Sequence, residues 1–294
     1  MTSMEITFLG TGAAIPTLER AHPAIHLRYS GKSQKSILFD CGEGTQTQLL
    51  RAKINFMGVG YVFVTHWHAD HFIGLYGLLN SMGLEGRQET VRIFGPEADT
   101  LGPELFKFYN FPFDIEFFDT YRDGVVYEED EFMVEALVTK HTIRSVAYAF
   151  VEKGRVKLNM AKVKKLGLDW KACRALKERG WTRKEGKKIT LKSVSNITPE
   201  RKIVYSGDTV YVPKMKRFAK GAEILIHECT CLTKDDVEGK MHSCLDDIMK
   251  LKDSAKKVYL IHIGRKYQHH EDLLGTVNGL KNVAISRDME RVKI

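Results

Sequence analysis

Between Tyr61 and Gly74 the chain passes from four consecutive apolar or aromatic residues, Tyr61-Val62-Phe63-Val64, into Thr65-His66-Trp67-His68-Ala69-Asp70-His71. An unbroken apolar run suits a strand covered on both faces. The run ends in three imidazoles and a carboxylate within six residues, in a chain with 11 histidines among 294 residues. Neutral imidazole nitrogen and carboxylate oxygen are the donors that borderline divalent cations such as zinc accept. His66 and His68, two positions apart, can turn toward one ion, and Asp70 and His71 toward a second beside it. A helix from His71 to about Met82 is expected to brace the turn from behind.

Other apolar runs end in the same way. Ser36 to Asp40 reads as a strand running into Cys41-Gly42-Glu43-Gly44, with a helix expected from about Thr45 to Lys53. Asp40 can hydrogen-bond the far nitrogen of a liganding histidine or cap a turn, and the residues alone leave both open. Phe132 to Val138 leads to His141, which fits the vacancy for a third ligand beside His66 and His68. Ile203 to Tyr205 delivers Asp208, a carboxylate able to give one oxygen to each of two ions. Ala222 to Ile226 leads to His227-Glu228-Cys229-Thr230, and Lys257 to Ile261 to His262. These strand ends describe a site assembled on the rim of a sheet. His242 opens a helix expected to run to Leu251; from spacing alone it reads as an exposed cap residue, although a helix dipole would depress its pKa and an adjacent carboxylate would oppose that. His22, His26, His227, His269 and His270 carry no comparable argument. Gly10-Thr11-Gly12 lacks the third glycine of a dinucleotide fingerprint and reads as a tight turn.

Charge separates one segment from the rest. Residues 151–200 hold 15 Lys or Arg against 5 Asp or Glu, a balance of +10, so a net charge of +8 leaves −2 for the remainder. From Lys153 to Lys192 these cations interleave with Trp170 and Trp181 and with short helical pieces (Met160 to Leu166, Lys171 to Arg179), with little continuous apolar surface. The segment is expected to project from the core as an inserted arm over 153–200. No apolar run reaches the ~18 residues of a membrane span, and the N-terminus lacks a secretory pattern. Five scattered cysteines, including a Cys229-Thr230-Cys231 spacing too tight for the usual zinc pair, fit buried thiols in a reducing cytoplasm. Two strand-rich halves flanked by helices favour a four-layer αβ/βα sandwich over a Rossmann sheet, whose crossovers begin at the first strand.

The His66-x-His68-x-Asp70-His71 run resembles the signature of the metallo-β-lactamase superfamily. Together with Gly10-Thr11-Gly12-Ala13-Ala14-Ile15-Pro16-Thr17, Phe39-Asp40-Cys41-Gly42-Glu43-Gly44-Thr45-Gln46, Tyr205-Ser206-Gly207-Asp208-Thr209 and Ile226-His227-Glu228-Cys229-Thr230, it resembles the ribonuclease Z family of tRNA 3′-processing endonucleases. The resemblance implies two zinc ions, one on His66, His68 and His141, the other on Asp70, His71 and His262, with Asp208 bridging. It also implies Asp70 as the group acting on the attacking water and His242, backed by Glu228, as proton donor. The implied reaction is metal-hydroxide attack on a precursor-tRNA phosphodiester, leaving a 3′-hydroxyl, in a homodimer. The basic insert stands where the family carries its tRNA-binding arm, making Lys162, Lys164 and Lys165 candidate phosphate contacts. Lys266 and Tyr267 are candidates near the scissile bond; the family's Ser-x-Arg-Tyr reads Gly264-Arg265-Lys266-Tyr267 here, and Leu168-Asp169-Trp170-Lys171 replaces its Gly-Pro arm signature. A binuclear phosphodiesterase acting on a small substrate is the rival expectation, and the basic insert is what separates the two.

Overall fold

Alternating and fully apolar segments dictate two β-layers, and the computed structural model places them face to face. It describes residues 2–237, 239–267, 269, 273 and 275–294, so His270 lies outside the described residues. Strands β1 (Ser3–Gly10), β2 (Ala24–Ser30), β3 (Gln34–Phe39), β4 (Val59–Phe63), β5 (Val91–Gly95) and β6 (Ile115–Asp119) lie side by side in chain order. The second sheet takes β7 (Gly124–Glu128), β8 (Phe132–Val138) and β9 (Val146–Glu152). The basic segment then forms two small antiparallel ladders, β10 (Arg155–Leu158) with β13 (Ser195–Thr198) and β11 (Trp181–Lys184) with β12 (Lys187–Thr190). The second sheet resumes with β14 (Arg201–Tyr205), β15 (Ala222–Glu228), β16 (Ala255–Ile261) and β17 (Val283–Ile285). Finally β18 (Arg291–Lys293) returns to pair with β1, so each sheet has seven strands.

The inner faces interdigitate through aromatic side chains. Phe8 packs on Tyr259 with ring centroids 5.4 Å apart, and Phe39 and Phe63 meet Tyr148 from the opposite sheet at 6.2 and 5.3 Å. Each such fully buried large side chain is worth roughly 1.5–3 kcal/mol of transfer free energy. On the outer face of the first sheet, Leu38, Val62 and Ile93 pack against Leu75, Leu78, Leu79 and Met82 of the helix Gly74–Leu84. Met215, Ile248 and Leu251, from the helices Pro213–Phe218 and Leu245–Leu251 on the second half, are fully buried. The result is the four-layer αβ/βα sandwich of the metallo-β-lactamase fold. Among the described residues no helix is long and apolar enough to cross a membrane.

Residues up to Phe150 together with Lys202–Ile294 form one compact unit, and Val151–Arg201 forms a second. The second has a small core of its own, Val163, Leu168, Leu176 and Val194. Its helices are Met160–Lys165 and Trp170–Arg179, each capped by the Asx side chain before it, Asn159 and Asp169.

Several boundaries differ from expectation. The helix expected from His71 is two, Ala69–Phe72 and Gly74–Leu84, because the Cys41 turn takes backbone groups at the junction: Cys41 N donates to His71 O at 2.7 Å and Gly74 N to Cys41 O at 2.9 Å, an approach that leaves no room for a Cβ at Gly74. The helix expected from His242 begins at Leu245, with Cys244 as its cap. Strands β7, β17, β18 and the four of the basic unit were not apparent, being three to five residues long with little apolar periodicity.

Candidate metal centre

The parallel pairing of β3 with β4, and of β14 with β15 and β16, puts the C-terminal ends of the strands in each set at one edge. Asp40, His66, Asp208, Glu228 and His262 all sit at or just past those ends. Two of the turns carry unusual backbone: Asp40 has φ 57° and His262 φ 56°. Left-handed conformations at residues with a Cβ persist where surroundings over-determine them. Gly207 also has φ 56°, and a Cβ there would come within 2.6 Å of the Thr65 side chain, so glycine is required for Asp208 to reach the rim beside His66.

Two groups of donor atoms result. His66 Nε2 lies 3.0 Å from His68 Nδ1, which lies 3.2 Å from His141 Nε2. Beside them Asp70 Oδ2 is 3.4 Å from both His71 Nε2 and His262 Nε2. Asp208 Oδ2 faces both groups, at 3.9 Å from His66 and His141, 3.4 Å from His71 and 3.1 Å from His262. All seven anticipated ligands therefore meet at one place.

The far nitrogen of each imidazole is already occupied. Asp40 Oδ2 accepts from His71 Nδ1 at 2.7 Å and from Tyr205 Oη at 2.6 Å, while its Oδ1 accepts from Thr65 N at 2.7 Å. Asp40 thus takes the supporting role. Thr65 Oγ1 holds His66 Nδ1 at 3.1 Å, Met241 O accepts from His141 Nδ1 at 2.8 Å, and Thr142 Oγ1 meets His68 Nε2 at 3.3 Å. Thr230 Oγ1 holds His262 Nδ1 at 2.8 Å. Fixing one nitrogen sets the tautomer and turns the other inward.

The donor set fits a pair of divalent cations. Tetrahedral zinc with nitrogens at ~2.0–2.1 Å needs them roughly 3.3 Å apart, close to the spacing of His66, His68 and His141. Two buried polar atoms, His71 Nε2 and Asp208 Oδ1, have no hydrogen-bond partner. Such atoms are costly unless something else satisfies them. Burial and the neighbouring His71 push the His66 imidazole well below its ordinary value, which keeps a lone pair available. Burial opposes ionisation of Asp70, but the neighbouring His262 and His71 imidazoles outweigh it and hold the carboxyl far below the usual range.

His242 and Glu228 stand at the edge of this cluster. Glu228 Oε1 accepts from His242 Nδ1 at 3.1 Å, Thr209 N at 3.0 Å and Ser243 N at 3.1 Å. His242 lies outside the helix Leu245–Leu251, so the expected dipole effect is replaced by a contact: burial disfavours its charge, but the hydrogen bond to Glu228 and the Asp208 charge raise its pKa. A cavity of about 520 Å³ adjoins it, lined by Ala13, Ile15, Thr142, Met241, Lys240 and Arg265 among others.

The remaining candidates are elsewhere engaged or exposed. Lys266 and Tyr267 both bind Asp236, holding that carboxyl down at about 2. Lys162, Lys164 and Lys165 are exposed in the Val151–Arg201 unit. His26 and His227 are buried and His269 is exposed. Sequence reasoning missed Thr65, Thr230 and Tyr205 as supports; Thr65 and Tyr205 flank motif residues, but no local pattern tells a hydroxyl's partner 165 positions away.

Comparison with known proteins accords with this geometry. A family model described as "Anti-Pycsar protein Apyc1" matches residues 4–101, about a third of the chain. The crystal structure of human tRNase Z, short form, superposes with a TM-score of 0.67 at 25% identity over 98% of both chains. The metallo-β-lactamase fold protein YhfI from Bacillus subtilis superposes at 0.70 with 18% identity over 100% of both, a likeness of fold alone. The ribonuclease Z of Methanothermobacter thermautotrophicus is 36% identical over 280 residues, 92% of this chain and 90% of its own. Identity of that level along nearly the whole of both sequences means that the chain belongs to the ribonuclease Z family.

Proposed function

We propose that the protein is a zinc-dependent endoribonuclease that removes the 3′ trailer of precursor tRNA, leaving a 3′-hydroxyl. The observation that carries this reading is the pair of donor groups sharing Asp208 Oδ2, next to a His242–Glu228 pair, in a chain of this family. His66, His68 and His141 would hold one ion and Asp70, His71 and His262 the other, with Asp208 between them. When bound, a zinc pair held by these residues would supply Lewis acidity at the phosphoryl oxygens and a water acidic enough to react near neutral pH.

The protein groups do the rest. Asp70, ionised and held between two imidazoles, orients the attacking water and accepts its hydrogen bond. His242, kept cationic by Glu228, gives a proton to the departing 3′ oxygen, and its raised pKa holds that proton ready near neutrality. The cavity beside it has room for a nucleotide flanking the scissile phosphate, with Lys240 and Arg265 as phosphate partners. Lys266 and Tyr267 would act by exchanging Asp236 for a phosphate oxygen.

The Val151–Arg201 unit suits tRNA phosphates. Its net positive charge is exposed, and Arg179, Arg183 and Lys188 gather around Trp181 at 4.6, 5.8 and 5.3 Å from the ring centroid. Trp170, 68% exposed, offers a further stacking face. The five cysteines are free, which suits the cytoplasm. A homodimer follows from the resemblance, and sedimentation equilibrium measures it.

Incubating the purified protein with 3′-extended precursor tRNA, with and without chelator, tests the proposal. Zinc-dependent release of one trailer and a 3′-hydroxyl tRNA is the expected result. Hydrolysis of a small diester with intact precursor tRNA would replace it with a small-substrate phosphodiesterase.

A further inference from the structure

Thr230 touches both the acid pair and a ligand of the second cation group through one hydroxyl. Its Oγ1 lies 2.8 Å from Glu228 Oε2, 2.8 Å from His262 Nδ1 and 3.2 Å from His242 Nδ1. The backbone pins it there: Thr230 N donates to Glu228 Oε2 at 3.1 Å, and Thr230 O accepts from Gly264 N at 3.1 Å. Gly264 approaches so closely that a Cβ there would lie 2.6 Å from Thr230 O.

A hydroxyl has one proton and two lone pairs. Of its three neighbours only the Glu228 carboxylate is purely an acceptor, so the proton goes there and Oγ1 accepts from the two rings. That assignment fixes both imidazoles with a hydrogen on Nδ1. For His262 it leaves the Nε2 lone pair facing Asp208 and Asp70 at 3.1 and 3.4 Å. For His242 it leaves Nε2 as the nitrogen that can meet the leaving oxygen, the Nδ1 hydrogen being shared between Thr230 and Glu228. The two rings stack with centroids 5.3 Å apart, so one hydroxyl sets the orientation of both.

We propose that Thr230 is a positioning residue that links the proton donor to the metal centre, fixing the tautomer of His262 and the orientation of His242 through a single hydroxyl. The inference rests on the nuclease reading above for its catalytic half and on geometry alone for its ligand half. A β-branched side chain suits the task because its χ1 is stiff. The hydroxyl does not touch substrate.

Thr230→Val keeps the shape and removes the hydroxyl; Thr230→Ser keeps the hydroxyl and removes the methyl. In the zinc-loaded protein the His262 Nδ1 hydrogen is expected to exchange slowly with solvent in wild type and Thr230→Ser, which keep its Oγ1 acceptor, and faster in Thr230→Val. Competition with a chelator should show zinc held roughly 10–100-fold more weakly in Thr230→Val. At saturating zinc, Thr230→Val should still cleave precursor tRNA roughly tenfold or more slowly, and lose less of its activity on bis(p-nitrophenyl) phosphate, whose leaving group needs no acid. A Thr230→Val protein with wild-type zinc retention and wild-type exchange of the His262 Nδ1 hydrogen overturns the inference, as does a Thr230→Ser protein that loses both. Full recovery of tRNA cleavage by added zinc confines the hydroxyl to His262 and overturns the link to His242. Wild-type protein that leaves precursor tRNA intact overturns the nuclease reading instead, and the exchange and zinc measurements still judge the ligand half.

Discussion

The rim of the sandwich and the Val151–Arg201 unit use charge in opposite ways. At the rim, His66, His71, Asp208 and Glu228 are all but inaccessible, and the far nitrogens of the imidazoles are held by oxygens of the protein. In the basic unit four buried side chains, with five partly buried ones against them, form a small core, and Lys162, Lys164, Lys165 and most other cations face water. Buried charge is strong but costly and must be held in one geometry. Exposed charge is weak pair by pair, screened within ~8–10 Å, and tolerant of geometry. Bond cleavage needs the first kind and holding a long polyanion needs the second, so the rim should answer to protons and metal, and the basic unit to salt.

Four experiments can break or sharpen that contrast. Asp208→Ala, by removing the carboxylate common to both donor groups, should reduce cleavage by roughly 10³-fold or more and lower bound zinc to one ion or none. Metal analysis that still finds two ions in this variant would refute the shared role. Asp40→Asn should cost roughly 10–100-fold in zinc affinity, since it weakens the grip on His71 without touching an ion; chelator competition reads this directly, and an unchanged midpoint would mean the rim is less preorganised than its contacts imply.

Replacing Lys162, Lys164 and Lys165 together by Ala should raise KM for precursor tRNA by roughly tenfold and make its salt dependence shallower by about 2 in log–log slope, leaving kcat and a small diester untouched. Equal losses on both substrates would erase the distinction between the regions. The mildest effect concerns pH. Burial disfavours charge on His71, but Asp208 and Asp40 outweigh it and raise its pKa well above the ordinary value in the metal-free protein. Zinc must expel that proton, so affinity should strengthen as pH rises, by about three- to tenfold per pH unit while His71 remains protonated in the metal-free form. Calorimetry in buffers of different ionisation enthalpy should count about one proton or more released on loading.

The gathering of His66, His71, Asp208 and His262 at one rim was readable in sequence because strand ends are conspicuous: an apolar run followed closely by His or Asp marks both the element and the residue it delivers. The sandwich was readable for the same reason. What holds the ligands was only partly readable. Asp40 stands in a strand-end pattern of its own, whereas Tyr205, Thr65 and Thr230 join their partners through tertiary packing that no local spacing encodes. The start of the helix at Leu245 was misjudged because Ser243 is drawn away to Thr209 O and Glu228, leaving Cys244 to cap. Lys266 and Tyr267 looked free because Asp236, 30 and 31 positions earlier, cannot be recognised as their partner from a sequence.

The occupied far nitrogens have one more implication. Since every imidazole is oriented by an oxygen of the chain, the coordination polyhedron is written by the scaffold, and an incoming ion must accept it as it stands. Discrimination among cations of equal charge would then fall to stereochemical tolerance: a site so built should favour those content with few, nitrogen-rich neighbours over those demanding an octahedron of oxygens.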